Sequence, residues 1–172
     1  MIIHKPALVP RLGHRGRARL ADLYEAHGPH ALRLAYVLTG DREVAQDLVQ
    51  DAFVRLAGRF ADLRDPKAFQ GYLLKTVVNL ANMHFRRKRI ERKYLDARST
   101  QVRSEHLPDI EGYEEIKTAL MKISARQRAA IVLRFYEDLS EAQTADVLGC
   151  ATGTVKSLVH RGLETLRSEI ER

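Results

Sequence analysis

Apolar residues recur along this chain at the three-to-four-residue spacing of amphipathic helices, with Gly, Pro and Asp marking the breaks. A first helix is predicted through Leu20, Leu23 and Tyr24, interrupted at Gly28-Pro29. A second places Ala31, Leu34, Ala35 and Leu38 on one face and ends at Thr39-Gly40-Asp41. Asp41 is positioned to cap the third, which would bury Val44, Leu48, Ala52 and Leu56 at intervals of four. Its remaining faces carry Asp47, Gln50 and Asp51 with the apolar Phe53 and Val54. Phe60–Pro66 reads as a loop, and Asp65-Pro66 as a cap and first-turn pair. The long helix that comes next has Phe69, Leu73, Thr76, Val77 and Leu80 as its core stripe. Lys75, Asn79, Asn82 and Arg86 line up on the opposite side. Asparagine is a poor helix former in mid-helix. Two on one face are either neutral surface or amides presented to bases and phosphates.

The pattern is lost over 96–112, and from Arg103 to Glu115 the chain has one Arg against five acids, with Pro108 among them. We read a flexible acidic linker between two small helical domains, the second opening near Glu111. Ser124-Ala125-Arg126-Gln127 and Ser140-Glu141-Ala142-Gln143 are capping boxes, each starting a helix. The first should reach Phe135-Tyr136, and the second turns Ala145 and Leu148 inward. Gly149 fits a left-handed C-terminal position. A last helix presents Val155, Val159, Leu163, Leu166 and Ile170 to the core. A short helix, a Gly-containing turn and a second amphipathic helix make a helix-turn-helix candidate. Its outward positions, Gly153, Thr154, Lys156, Ser157, His160 and Arg161, suit major-groove and phosphate contact.

Charge sharpens this picture more than composition does. The 172 residues carry a formal charge of +7, but residues 1–98 hold a net +9 and residues 99–172 a net −2. Such asymmetry points to an anionic partner for the first half. Much of it lies in Arg86-Arg87-Lys88-Arg89, with Arg92 and Lys93 close behind, although a solvated helix end would look similar. No apolar run approaches the ~18 residues of a membrane span, and no signal peptide is expected. The single Cys150 excludes an internal disulfide and a cysteine-based zinc site. A cytoplasmic, all-α protein is expected.

These residues resemble the extracytoplasmic-function (ECF) sigma factors of the sigma-70 family, with a SigE-like flavour in the TVVNL segment. The likeness rests on LRLAYVLTGDREVAQDLVQDAFVRL (32–56) and FQGYLLKTVVNLANMHFRRKR (69–89), which resemble sigma region 2. It rests equally on ARQRAAIVLRFYEDLSEAQTADVLGCATGTVKSLVHRGLETLR (125–167), which resembles region 4. The resemblance implies a basic extension over 1–19, region 2 over 20–95, a linker over 96–111 and region 4 over 112–172. It implies that Asp47, Gln50, Asp51 and Phe53 contact the β′ clamp of core RNA polymerase, with region 4 also meeting the β flap. Lys75, Asn79, Asn82, Arg86, Arg87 and Arg89 would recognise and melt the −10 promoter element. An extruded base costs a few kcal/mol of unstacking and needs hydrogen-bonding edges around it. Thr154, Lys156, Ser157, His160 and Arg161 would read the −35 element. The acidic linker would thread the polymerase's RNA path, and an anti-sigma factor is a possible further partner. The chain departs from the family pattern at Tyr72, Met83, Ile123-Ser124, Ala151 and Leu158, and Gly162 in mid-helix looks unfavourable. A weakened −35 contact is therefore expected.

Two other readings are open on the residues alone. A helical repressor or activator explains the basic helix and helix-turn-helix but not the Asp47–Phe53 face. An enzyme would need a site, and His27-Gly28-Pro29-His30 lacks nearby ligands. No catalytic residue, metal ligand or cofactor is assigned.

Overall fold

A computed structural model describes residues 14–60, 66–94 and 113–171. Its elements are α1 (His14–Thr39), α2 (Arg42–Phe60), α3 (Pro66–Tyr94), α4 (Tyr113–Lys122), α5 (Ala125–Ile131), α6 (Glu141–Leu148) and α7 (Thr152–Ile170). A π-helical turn, Val132–Tyr136, extends α5. The described residues contain no strand, as an all-α fold requires.

α1, α2 and α3 form the first bundle. Leu34, Ala35, Val49, Phe69, Val77 and Val78 are almost wholly buried in its core. The predicted interruption at Gly28-Pro29 does not occur, because α1 is continuous with Pro29 inside it. An interior proline costs a helix about 3 kcal/mol. Packing on both sides of it offsets that cost. Tyr24 meets Phe53 edge-on at 4.9 Å, and beyond the proline Ala31, Leu34 and Leu38 are buried. α1 also begins at His14, inside the stretch read as an extension. Gly40, at φ +70°, turns the chain from α1 into α2, and Asp41 Oδ1 accepts the Val44 N–H at 3.1 Å as the predicted cap.

The buried face of α2 is rotated from the expected one. Ala45, Val49, Ala52, Phe53, Leu56 and Ala57 are buried, while Val44 and Leu48 are only half-buried. Intervals of four overshoot the 3.6-residue turn and drift ~40° per turn around the helix, whereas alternating threes and fours stay over the seam. The same drift affects α7. Val155 and Gly162 are buried and Val159 and Leu166 half-buried, but Leu163 is 42% exposed and Ile170 61%. In α3 Phe69, Leu73, Val77 and Leu80 are buried as predicted, and half-buried Thr76 donates to the Tyr72 carbonyl instead. Pro66 opens α3 as expected, α2 runs through Phe60, and residues 61–65 lie outside the described residues. So do the linker residues 95–112 and the first 13 positions.

α4 to α7 form the second bundle. Both capping boxes are made, Ser124 with Gln127 and Ser140 with Gln143, each by reciprocal side-chain bonds. Gly149 adopts φ 60°, ψ 45° and closes α6. Gly162 is required by packing, since a Cβ there would stand 2.6 Å from Ile131 Cδ1 and 3.2 Å from Gln127 Cβ. The glycine lets α5 and α7 approach closely, so the apparent weakness of mid-helix Gly is a fit.

Candidate nucleic-acid interface

The α3 row is formed as the spacing predicts. Asn79, Arg86, Arg87 and Arg89 are exposed and Asn82 is half-buried. The buried Val77, Val78, Leu80 and Ala81 pin the same helix from behind, so the amides and guanidiniums stand on a rigid support. Lys75 is less free, because its ammonium pairs with Asp146 Oδ2 of α6 at 3.1 Å. Such an exposed pair is worth little to stability.

On α7, Thr154, Lys156, Ser157, His160 and Arg161 are all exposed. Val155 is fully buried between them and orients this face. Ala151 occupies the N-cap without any side-chain bond, and Thr152 does not replace it. Lys156 lies 3.5 Å from Glu141, and His160 lies 3.4 Å from Glu164 one turn on. Leu158 is half-buried, so it is only partly available to a base edge. The α6–turn–α7 unit has the geometry of a helix-turn-helix, with its second helix supplying the polar face.

The structure brings the two faces to one cleft of about 1570 Å³. Asn79, Asn82, Arg86 and Arg89 line it from α3, and Thr154, Ser157 and Arg161 from α7. Arg87, Lys156, His160 and Lys75 are not among its lining. The cleft also holds Lys88, Arg92, Lys117, Lys122, Arg126 and Arg128, against Asp41 as its acid, so its field is strongly positive. His84 is held below the usual histidine range by burial first and by Lys88 second, and it stays neutral there.

The polymerase face is only partly as expected. Asp47 and Gln50 are exposed, and half-buried Asp51 accepts a two-pronged contact from Arg55 at 2.9 and 3.0 Å. Phe53 is corrected: it is 4% exposed, packed edge-on to Tyr24 and 5.7 Å from Phe69. It belongs to the core, and the exposed face is acidic and polar without an aromatic. The histidines that bracket Gly28-Pro29 part company. His27 tilts against the Phe69 ring at 5.6 Å, and His30 reaches Glu137 at 2.9 Å. No cluster of three or more metal-ligating side chains exists among the described residues. Cys150 is a free, half-buried thiol.

Sequence reasoning missed Arg128 and Lys117, which are 3% and 8% exposed. A signal was present. Arg128 precedes Ile131 and Val132 by three and four residues, which puts it on the core face of its helix.

An all-helical pair of bundles, one with a basic amide-bearing helix and one with a helix-turn-helix, defines a DNA-directed class. The family model for sigma-70 region 2 matches residues 23–90, and that for sigma-70 region 4 matches residues 113–166. The chain is 34% identical over 149 residues to the RNA polymerase sigma-E factor of Streptomyces avermitilis, covering 81% of this chain and 78% of the relative. It is 32% identical to the ECF sigma factor SigE of Mycolicibacterium smegmatis over 88% of this chain and 61% of that protein. The sigma factor RpoE of Bartonella quintana, solved with the anti-sigma factor NepR, shares the fold at a TM-score of 0.71 and 24% identity, over 90% of this chain and 96% of that one. This chain belongs to the ECF branch of the sigma-70 family, whose members are non-enzymatic factors for transcription initiation by RNA polymerase. No described helix is long and apolar enough to cross a membrane.

Proposed function

We propose that this chain binds core RNA polymerase, recognises the −35 and −10 promoter elements and promotes promoter melting in the cytoplasm. The carrying observation is the rigid row of amides and guanidiniums on α3, paired with the polar N-terminal half of α7 on a separate bundle. In this reading Asn79 and Asn82 hydrogen-bond an unstacked base of the −10 element. Arg86, Arg87 and Arg89, with Lys75 once released from Asp146, hold the separated strand's phosphates. Thr154, Lys156, Ser157, His160 and Arg161 read the −35 element from the major groove. Asp47, Gln50 and Asp51 meet the β′ clamp, and region 4 meets the β flap. Residues 20–95 act as region 2, 112–172 as region 4, and 96–111 as an acidic linker through the polymerase's RNA path, with a basic extension before them. An anti-sigma factor is a further partner, as NepR is for the Bartonella protein.

The decisive experiment is reconstitution with core polymerase and mapping of the transcript starts. Complex formation with promoter-specific transcripts is expected, and their joint absence sinks the reading. Replacing Arg86 and Arg87 together by Ala should weaken DNA binding and flatten its salt dependence by ~0.9 in log–log slope for each phosphate no longer neutralised. An unchanged slope removes the basic helix from the DNA surface.

A further inference from the structure

The second bundle packs onto the first, and no motif in the chain accounts for it. Ala129, Val132, Leu133 and Val147 share one buried cluster with Leu34, Ala35, Leu38 and Val77. Polar contacts cross the same boundary. Lys117 donates to Tyr36 Oη at 3.1 Å, and His30 pairs with Glu137 at 2.9 Å. Gly40 lies so near α4 that a Cβ would stand 2.7 Å from Met121 Sδ.

At the centre is Arg128 of α5. Its Nη1 donates to the Leu38 carbonyl at the end of α1 at 2.5 Å. Its Nε reaches the Leu120 carbonyl at 2.8 Å and its Nη2 the Ile123 carbonyl at 3.3 Å, both at the end of α4. The guanidinium also sits 4.8 Å from the centre of the Phe85 ring of α3. Carbonyls at helix C-termini lack intrahelical donors and carry the negative end of the helix dipole. One planar fork of five donors therefore caps a helix from each bundle, which a lysine cannot do. Burial pulls this guanidinium down to about 10, still charged at neutral pH.

This packing decides where the DNA-facing helices point. A recognition helix in a major groove ~12 Å wide has a phosphate backbone passing on either side of it. Here α3 stands on one of those sides, across the shared cleft from Ser157 and Arg161. Lys75 is at the same time tied to Asp146 of α6. The boundary is also poised rather than sealed: Glu137 buries Oε1 without a protein partner, a group that opening would return to water.

We propose that this arrangement is an autoinhibited closed state of the free protein, latched by Arg128, and that region 4 must leave α1 and α3 before duplex DNA is bound. The proposal rests on the promoter-binding reading above and adds its regulation. Arg128 is a positioning residue in this scheme.

The test places a donor and an acceptor dye at Gln46→Cys on α2 and Ser168→Cys on α7 of the full chain, in a Cys150→Ser background. The free parent should give one short distance. Arg128→Lys should lengthen it and tighten binding of a short mixed-sequence duplex by about fivefold or more. Because Arg128 also holds α4, a second variant loosens the boundary from the other side: His30→Ala with Tyr36→Phe should produce the same two shifts. An unchanged distance in both variants, or a longer distance with unchanged DNA affinity, overturns the proposal. Closure is read from the distance alone, so a failed transcription assay sinks the promoter reading and leaves the distance result standing.

Discussion

The two bundles reach stability by different means. Region 2 uses long helices, with α1 spanning 26 residues and α3 29, around an aromatic centre of Tyr24, Phe53 and Phe69. Region 4 uses short ones, α5 of 7 residues and α6 of 8, each opened by a capping box. Helices this short are marginal alone, so caps and close packing must supply what length does not. The bundle that presents the α3 row to DNA is thus held by bulk burial. The bundle that carries the helix-turn-helix is held by specific local bonds and one glycine.

The sharpest way to break this contrast is Phe69→Ala. Phe69 is 1% exposed, and its truncation should cost region 2 about 3–5 kcal/mol in denaturant unfolding. A loss below about 1 kcal/mol would mean the aromatic centre is not the support described. Next comes Gly162→Ala, which should destabilise by about 1–3 kcal/mol by forcing Ile131 and Gln127 outward. Adding Ile131→Val, which removes the clashing Cδ1, should recover part of that loss, and stabilisation by Gly162→Ala alone would refute the close-packing account.

Caps should matter by about 1 kcal/mol and in opposite directions at two sites. Ser140→Ala removes a complete box, while Ala151→Ser supplies one that α7 lacks. Thermal melts that move together would end the claim that region 4 depends on its caps. Smallest is the effect of His84. Its folded pKa lies below the unfolded value of 6.5, so the unfolded chain binds the proton more readily. Stability should therefore be full above that value and decline as pH falls through it. His84→Gln should flatten this slope, and an identical pH profile would exclude His84 as its source.

Local chemistry was the legible part of the sequence. Both capping boxes, Gly149, Pro66 and the exposed α3 amides depend on residues within one or two turns of each other. What misled was anything decided across the fold. Gly28-Pro29 reads as a break until the packing on either side of it is known. Phe53 reads as exposed when the stripe is counted in fours, although its true neighbours Tyr24 and Phe69 come from other helices. Gly162 looks weak until Ile131 is placed beside it. Arg128 depends on the carbonyls of α1 and α4, whose positions no periodicity specifies.

The π-helical turn has a consequence for how the chain can change in length. The Glu137 N–H reaches back five residues to the Val132 carbonyl, so this turn holds one residue more than an α-helical turn would. That extra residue sets Phe135 and Tyr136 facing solvent, at 63% and 46% exposure. Deleting any single residue here would restore ordinary winding and swing α6 and α7 by ~100° about the helix axis. The helix-turn-helix would then be aimed elsewhere with every one of its own side chains intact. Substitution within 132–136 can be absorbed, but a change in its count cannot.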